Sequence, residues 1–265
     1  MNTLLFDAGN SRIKWALVRD GRMAVQQAAD LRDLTPLARW LARTARIDRV
    51  VGVSVAGSKV ARDLAAALRS ASHPPAEFVH SSAMAAGVHN GYREATRLGD
   101  DRWAAAVAAW HRAGCYRTVC AVSAGTALTI DLVDCDGHHR GGLIAPGPAM
   151  MLGALLGKTH GIAQRAAMDD ARPRRKTSDQ RALVRPLADN TREAIESGCL
   201  TAAAGLVDRT INQLTRELGV RPVVFVTGGA ADLLLPLLKG ANKPCPELVL
   251  RGVAMLAEVP LRRRA

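Results

Sequence analysis

The spacing of apolar positions changes several times along the chain, and each change predicts a new element. Thr3–Phe6 is a short apolar run ending in the turn residues Asp7-Ala8-Gly9-Asn10, so it predicts a strand and a tight connection. Ile13–Val18 predicts a second strand, Asp20-Gly21 a hairpin and Met23–Ala28 a third strand. Leu34, Leu37, Leu41 and Ala45 recur at helical spacing, Val50–Val55 is a buried strand, and Val60, Leu64, Leu68 and Ala71 mark another helix. Glu77–His80 closes this stretch as a short strand. Asp100 or Asp101 then opens a helix over Arg102–Ala113, which Gly114 ends.

After Gly114 the pattern restarts. Thr118–Val122 predicts a strand, Ser123-Ala124-Gly125-Thr126 a turn, Ala127–Val133 a strand, Asp136-Gly137 a hairpin and Gly141–Ala145 a third strand. A helix follows Pro146–Pro148, and Thr191–Leu218 reads as one long helix or two. Val223–Val226 is an apolar strand ending in Thr227-Gly228-Gly229, with helices expected over Ala230–Leu238 and Gly252–Leu261. Gly153–Asp189 has the weakest periodicity, and Asp170–Thr177 reads as a surface loop. Phe6-Asp7-Ala8-Gly9-Asn10 aligns with Val122-Ser123-Ala124-Gly125-Thr126, and a strand follows each. With the same element order around both, this predicts a duplicated α/β unit in which Ser123 stands where Asp7 stands.

Composition narrows the function classes. Aromatic residues are only 3% against 48% apolar, so the cores must be built from Leu, Val and Ala. The five cysteines are odd in number and none has CxxC spacing, which argues against a disulfide framework or a zinc site and fits a reducing cytoplasm. No apolar run approaches the length of a membrane span, and no basic, apolar leader opens the sequence. The net charge of +12 is large, but the basic residues are scattered apart from Arg172–Lys176 and Arg262–Arg264. No helix-turn-helix, zinc or aromatic-interleaved basic motif accompanies them, so the charge reads as a solvated surface and a nucleic-acid partner is not expected.

Three glycine turns and one acidic pair carry the candidate chemistry. The Asp7–Lys14 turn can face backbone N–H groups toward phosphate oxygens, with Lys14 or Arg12 neutralising charge and Asp7 holding Mg²⁺ through water. Gly9 and Asn10 suit a tight backbone. Thr126 adds a hydroxyl at the second turn, and Asp131 follows as a second metal-directed carboxylate. Thr227–Ala231 suits close approach of a nucleotide to a helix N-terminus. GxxxxGK[ST] is absent. In Gly99-Asp100-Asp101-Arg102, one carboxylate can cap the helix and the other serve as general base, while Arg102 can grip a carboxylate with both arms.

These motifs together resemble the actin/hexokinase/Hsp70-like ATPase superfamily, and more specifically the type III pantothenate kinases, some of which are labelled Bvg accessory factors. The resemblance runs essentially end to end. It rests on Asp7–Lys14 (DAGNSRIK), Gly99–Arg102 (GDDR) with Trp103-Ala104-Ala105, Ser123–Asp131 (SAGTALTID), Gly141–Gly147 (GGLIAPG), Asp189–Ile195 (DNTREAI) and Thr227–Gly229.

It implies two duplicated ribonuclease H-like domains, 1–115 and 116–265, with the ATP cleft between them, and ATP-dependent phosphorylation of pantothenate at the start of coenzyme A synthesis. Asp7, Ala8, Gly9, Asn10, Ser11, Arg12, Ile13, Lys14 and Thr126 would bind ATP, with Asp7 directed to Mg²⁺. Asp101 would accept the hydroxyl proton, and Tyr92, Gly99, Asp100, Arg102 and Thr191 would complete the pantothenate site. The resemblance further implies a cytoplasmic homodimer with that pocket at the subunit interface, and use of K⁺ or NH₄⁺. The chain departs from the family at Ser123, where an Asp usually helps hold the monovalent cation. A hydroxyl is a poorer ligand, so either the cation requirement is relaxed or another group supplies the charge. Two rival readings share some of these features: another small-molecule kinase, such as a sugar kinase, and a non-catalytic regulatory accessory protein.

Overall fold

The computed structural model describes residues 1–170 and 187–262. Its backbone contacts define two compact units. The first is Met1–Arg117, Leu132–Gly141 and Glu247–Ala265, and the second is Thr118–Asp131 and Gly142–Pro246. The units follow contact rather than chain order, so they are not the contiguous halves 1–115 and 116–265: the last helix returns to the first unit.

In the first unit, β1 (Asn2–Ala8) is buried along almost its whole length, as an apolar run at the centre of a sheet should be. It pairs antiparallel with β2 (Arg12–Arg19) and parallel with β5 (Arg49–Ser54). Two short strands, β3 (Arg22–Met23) and β4 (Gln27–Asp30), both pair with β2. One strand was expected over Met23–Ala28; the two pairings are out of step by one residue, so the chain bulges between them. Beyond β5 lies β6 (Ala76–Phe78), giving the order β3-β2-β1-β5-β6. Helices α1 (Thr35–Arg43) and α2 (Ser58–Ser70) bury Leu37, Leu41, Leu64 and Leu68 against Phe6, Ile13, Trp15 and Val50. A two-stranded ribbon, β7 (Met84–Ala85) and β8 (Val88–His89), was not anticipated.

Helix α3 (Asp100–Arg112) is buried from Arg102 to Trp110. Its alanines leave room for α8 (Leu248–Leu256) to pack closely: a Cβ added at Gly252 would lie 1.9 Å from the Ala104 carbonyl oxygen. Gly252 therefore sits inside α8, whereas the sequence suggested that it opens a helix running to Leu261. Pro260 instead lies beyond the helix end, and Glu258 takes a left-handed φ of 56°.

The second sheet has the order β11-β10-β9-β12-β13. Its strands are β9 (Val119–Ala124), β10 (Ala127–Val133), β11 (His139–Pro146), β12 (Val223–Thr227) and β13 (Asn242–Pro244). With β9 for β1, β10 for β2 and β12 for β5, it is the first sheet over again, including the parallel pairing of β12 with β9. The predicted duplication is present in the topology. Helices α4 (Pro148–Lys158) and α5 (His160–Asp170) occupy much of the stretch read as least ordered. Met151, Leu152 and Leu156 from α4 and Ile162 from α5 pack against Ile195 and Cys199 of α6 (Thr191–Leu218), a single 28-residue helix. The expected loop over Asp170–Thr177 lies, past the end of α5, outside the described residues. A short helix, α7 (Ala231–Leu234), and one turn of 3₁₀ helix follow β12. Among the described residues, no helix is long and apolar enough to cross a membrane.

Candidate active site

The hairpin β1–β2 places Asp7 directly across from Lys14. Asp7 is only 6% exposed, and its pKa is pushed up from 3.8 to about 6. Burial is the main cause; the Lys14 ammonium pulls the other way, and the Asp101 carboxylate adds to the rise. The turn itself is open: Asn10, Ser11 and Arg12 are exposed, and the Gly9 N–H donates to the Arg12 carbonyl at 3.0 Å. Neither Gly9 nor Asn10 has a positive φ, so the expected need for a permissive backbone is not what places them there. Ala8 and Ile13 are buried in the core, leaving only their backbone groups for a ligand.

The second hairpin repeats these bonds. Ala8 O accepts from Val55 N at 3.0 Å, and Ala124 O accepts from Ala230 N at 2.9 Å. Gly125 N donates to Ala127 O at 3.0 Å, as Gly9 N does to Arg12 O. Glycines let neighbouring segments close on this turn. A Cβ at Gly228 (φ 102°) would fall 2.3 Å from Ala124 O, and one at Gly147 would fall 2.1 Å from Gly125 O. Thr126 is half-buried and its carbonyl accepts from Gly147 N at 2.9 Å. Ser123 pairs with Thr227, whose hydroxyl donates to the Pro246 carbonyl. Asp131 lies on the strand after the turn, as its place in the sequence suggested. It is buried further along β10, where after burial it is the next cause pushing the Cys120 thiol up to about 12.

At the start of α3 the structure corrects one expectation: neither aspartate caps the helix. Gly99 is the N-cap and no side chain bonds the first turn from there. Asp100 instead uses both oxygens on another segment, accepting from Ser81 N at 2.7 Å and meeting His80 Nδ1 at 2.9 Å. Asp101 accepts from Arg102 N at 2.8 Å and is close enough to Asp7 to raise its pKa. Arg102 is 7% exposed; its Nη1 donates to Tyr92 Oη at 2.8 Å, and its guanidinium carbon lies 5.6 Å from the Tyr92 ring centroid. Thus Asp7, Lys14 and Asp101 form one electrostatic group and Arg102 with Tyr92 another, all within the first unit. Ser123, Thr126 and Thr191 belong to the second. Thr191 opens α6, where Asn190 caps the helix by accepting from Glu193 N and Asp169 accepts from Thr191 N at 2.9 Å. His80, Ser81 and Asn90, which organise the segment before α3, were not marked by any motif in the sequence, where His80 read only as the end of the short strand Glu77–His80.

Two sheets of one strand order, each with a glycine turn at the end of its first hairpin, define the duplicated fold of the actin/hexokinase/Hsp70-like ATPases. Solved structures agree. The activator of 2-hydroxyisocaproyl-CoA dehydratase from Clostridium difficile, with bound ADPNP, aligns over 98% of this chain and 96% of its own at a TM-score of 0.52 and 14% identity. The (R)-2-hydroxyglutaryl-CoA dehydratase component A from Acidaminococcus fermentans aligns over 97% of both chains at 0.51 and 13%. At such identities the likeness shows the fold alone. Sequence goes further: residues 3–213 match the type III pantothenate kinase family. The type III pantothenate kinase of Aromatoleum aromaticum is 36% identical over 96% of this chain and 97% of its own. That of Azoarcus sp. is 37% identical over 96% and 90%. The chain belongs to the type III pantothenate kinase family.

Proposed function

We propose that the chain transfers the γ-phosphoryl group of ATP to the primary hydroxyl of pantothenate, giving 4'-phosphopantothenate and ADP, the first step of coenzyme A synthesis. The observation that carries this reading is the coupling of Asp101 to the Asp7–Lys14 pair: a candidate base lies beside a candidate phosphate hairpin. In this reading both glycine hairpins bind ATP. The Gly9-Asn10-Ser11 turn, open at Asn10 and Ser11, and the charges of Arg12 and Lys14 cradle its phosphates, and Thr126 adds a contact from the second hairpin. Asp7 suits a hydrated Mg²⁺, because burial leaves its carboxylate short of positive charge despite Lys14. The ion's part is to neutralise charge on the phosphates.

Asp101 takes the proton of the pantothenate hydroxyl as that oxygen bonds to the γ-phosphorus and ADP leaves. Arg102, aimed by Tyr92, grips the substrate carboxylate with its fork. Gly99 lines this site and Thr191 completes it, while Asp100 stands behind it with its oxygens on Ser81 and His80. Support for a homodimer comes from exposed Leu143, Ile144, Met150 and Leu155, which follow one another along β11 and α4. Five free cysteines support a cytoplasmic location. Around the monovalent-cation position stand the hydroxyls of Ser123 and Thr227, both neutral, so the donor set lacks the carboxylate that would hold K⁺ strongly.

The test is ADP release dependent on pantothenate, with and without K⁺ or NH₄⁺, in wild type and Asp101→Asn. General-base removal costs about 10²–10⁴-fold in turnover. A variant that keeps wild-type turnover at saturating substrates ends the assignment of Asp101.

A further inference from the structure

Tyr92 reaches Arg102 from an irregular segment, and two side chains hold that segment in shape. Asn90 Nδ2 faces Ser81 Oγ at 3.0 Å, Ser82 O at 3.2 Å and Ala95 O at 3.3 Å, while its Oδ1 accepts from Tyr92 N at 3.0 Å. Its backbone N–H donates to Ala83 O at 2.9 Å. One amide thus ties both ends of the loop together and fixes the backbone of Tyr92. Ser81, 3% exposed, also donates to Ala95 O at 2.8 Å, and through its N–H it hangs from Asp100. Asp100 therefore pins the closed loop to the first turn of α3, next to Asp101 and two residues before Arg102.

The other side of the loop has little room to shift. His89 N donates to Gly137 O at 2.8 Å, and a Cβ at Gly91 would lie 1.8 Å from His139 O, so backbone packs on backbone there.

We infer that Asn90 and Asp100 are positioning residues of the acceptor site: they hold Tyr92 against the Arg102 guanidinium, and so set the affinity for the acceptor's carboxylate without bonding to it. This rests on the reading of Arg102 as the carboxylate anchor. The two oxygens of Asp100 are spent on Ser81 and His80, which separates its role from that of Asp101.

The experiment compares KM for pantothenate and for ATP, with amide hydrogen exchange over residues 81–98, in wild type, Asn90→Ala, Asp100→Ala and Asp100→Asn. In both alanine variants KM for pantothenate is expected to rise about tenfold, the effect of one lost buried hydrogen-bonded group. KM for ATP should stay put, and exchange in the loop should quicken. Asp100→Asn keeps an oxygen for Ser81 N and offers an N–H to His80, so it should restore both loop protection and pantothenate KM. An asparagine variant as impaired as the alanine one would mean that the charge acts on the substrate, and would overturn the inference. So would a loop that exchanges faster with no change in pantothenate KM. If Asp100→Ala does not fold, Asn90→Ala decides on the same two readouts. A wild type without pantothenate-dependent ADP release would refute the functional reading itself, and the inference with it, before any variant is compared.

Discussion

Replacing Asp7 by Asn should stabilise the ligand-free protein while disabling it. The carboxylate is 6% exposed and its pKa stands at about 6 in the folded chain, against 3.8 for an ordinary aspartate. The unfolded chain therefore releases this proton first as pH rises, and the folded state loses stability between pH 3.8 and about 6. Above that range the penalty is complete. At 1.36 kcal/mol per pH unit it amounts to about 3 kcal/mol, with the attraction of Lys14 already counted. An amide still has to be buried, so the net gain should be about 1–3 kcal/mol. For a chain of this size that is a rise of about 2–4 °C in Tm per kcal/mol. The assay is thermal unfolding by circular dichroism at intervals from pH 3.5 to 8, without nucleotide or divalent ions. The gain should be full at pH 8, shrink through pH 6–4 and vanish below. A variant less stable than wild type at pH 8, or a gain of the same size at every pH, would refute the reasoning. Activity should be lost together with the phosphate-side carboxylate, so that stability and turnover move in opposite directions.

Three other substitutions probe separate parts of the argument. Lys14→Met removes the one attraction that holds the Asp7 pKa down, so the acid limb of kcat/KM should move to higher pH and KM for ATP should rise about tenfold or more; an unmoved limb would uncouple the pair. Ser123→Asp should make turnover depend on K⁺, read as the ratio of rates in K⁺ and Na⁺ at equal ionic strength, and a ratio equal to that of wild type would remove the position from the cation site. Gly252→Ala should cost about 3 kcal/mol in denaturant unfolding, because its Cβ meets the backbone of Ala104 rather than a side chain that can turn away.

Elements bounded by strong punctuation were legible in the sequence. β10 and α6 have the limits their patterns predict, since a glycine turn precedes one and Asn190 and Gly219 cap the other. Errors arose where tertiary contacts override local signals. Gly252 looks like a helix start, but it is a packing glycine within α8. Gly153, Gly157 and Gly161 obscured α4 and α5, yet the first two meet nothing within 4 Å, so they cost the helices propensity without breaking them. In the site, the residue types and the equivalence of the hairpins were readable, whereas the placing of Lys14 across from Asp7 depends on the register that the turn adopts. The task of Asp100 was not readable, because its partners lie 19 and 20 residues earlier and nothing local marks them.

The two hairpins have the same backbone bonds but opposite chemistry, and the difference is more than one residue deep. Gly9 N to Arg12 O corresponds to Gly125 N to Ala127 O. Counting on from those bonds, Leu128 stands for Ile13, both fully buried, and Thr129 for Lys14. The two opposite charges facing each other across the first hairpin thus correspond to two hydroxyl residues in the second: Ser123 has no carboxylate and Thr129 no ammonium. A carboxylate alone at that position would be desolvated with no lysine to offset it, and would need a bound cation to stay ionised. A neutral pair needs none. On this argument the neutral pair Ser123 and Thr129 can stand in the second hairpin without a bound cation. On the proposed reading, the first hairpin supplies the charge toward phosphate and a divalent ion, and the second supplies hydroxyls and backbone.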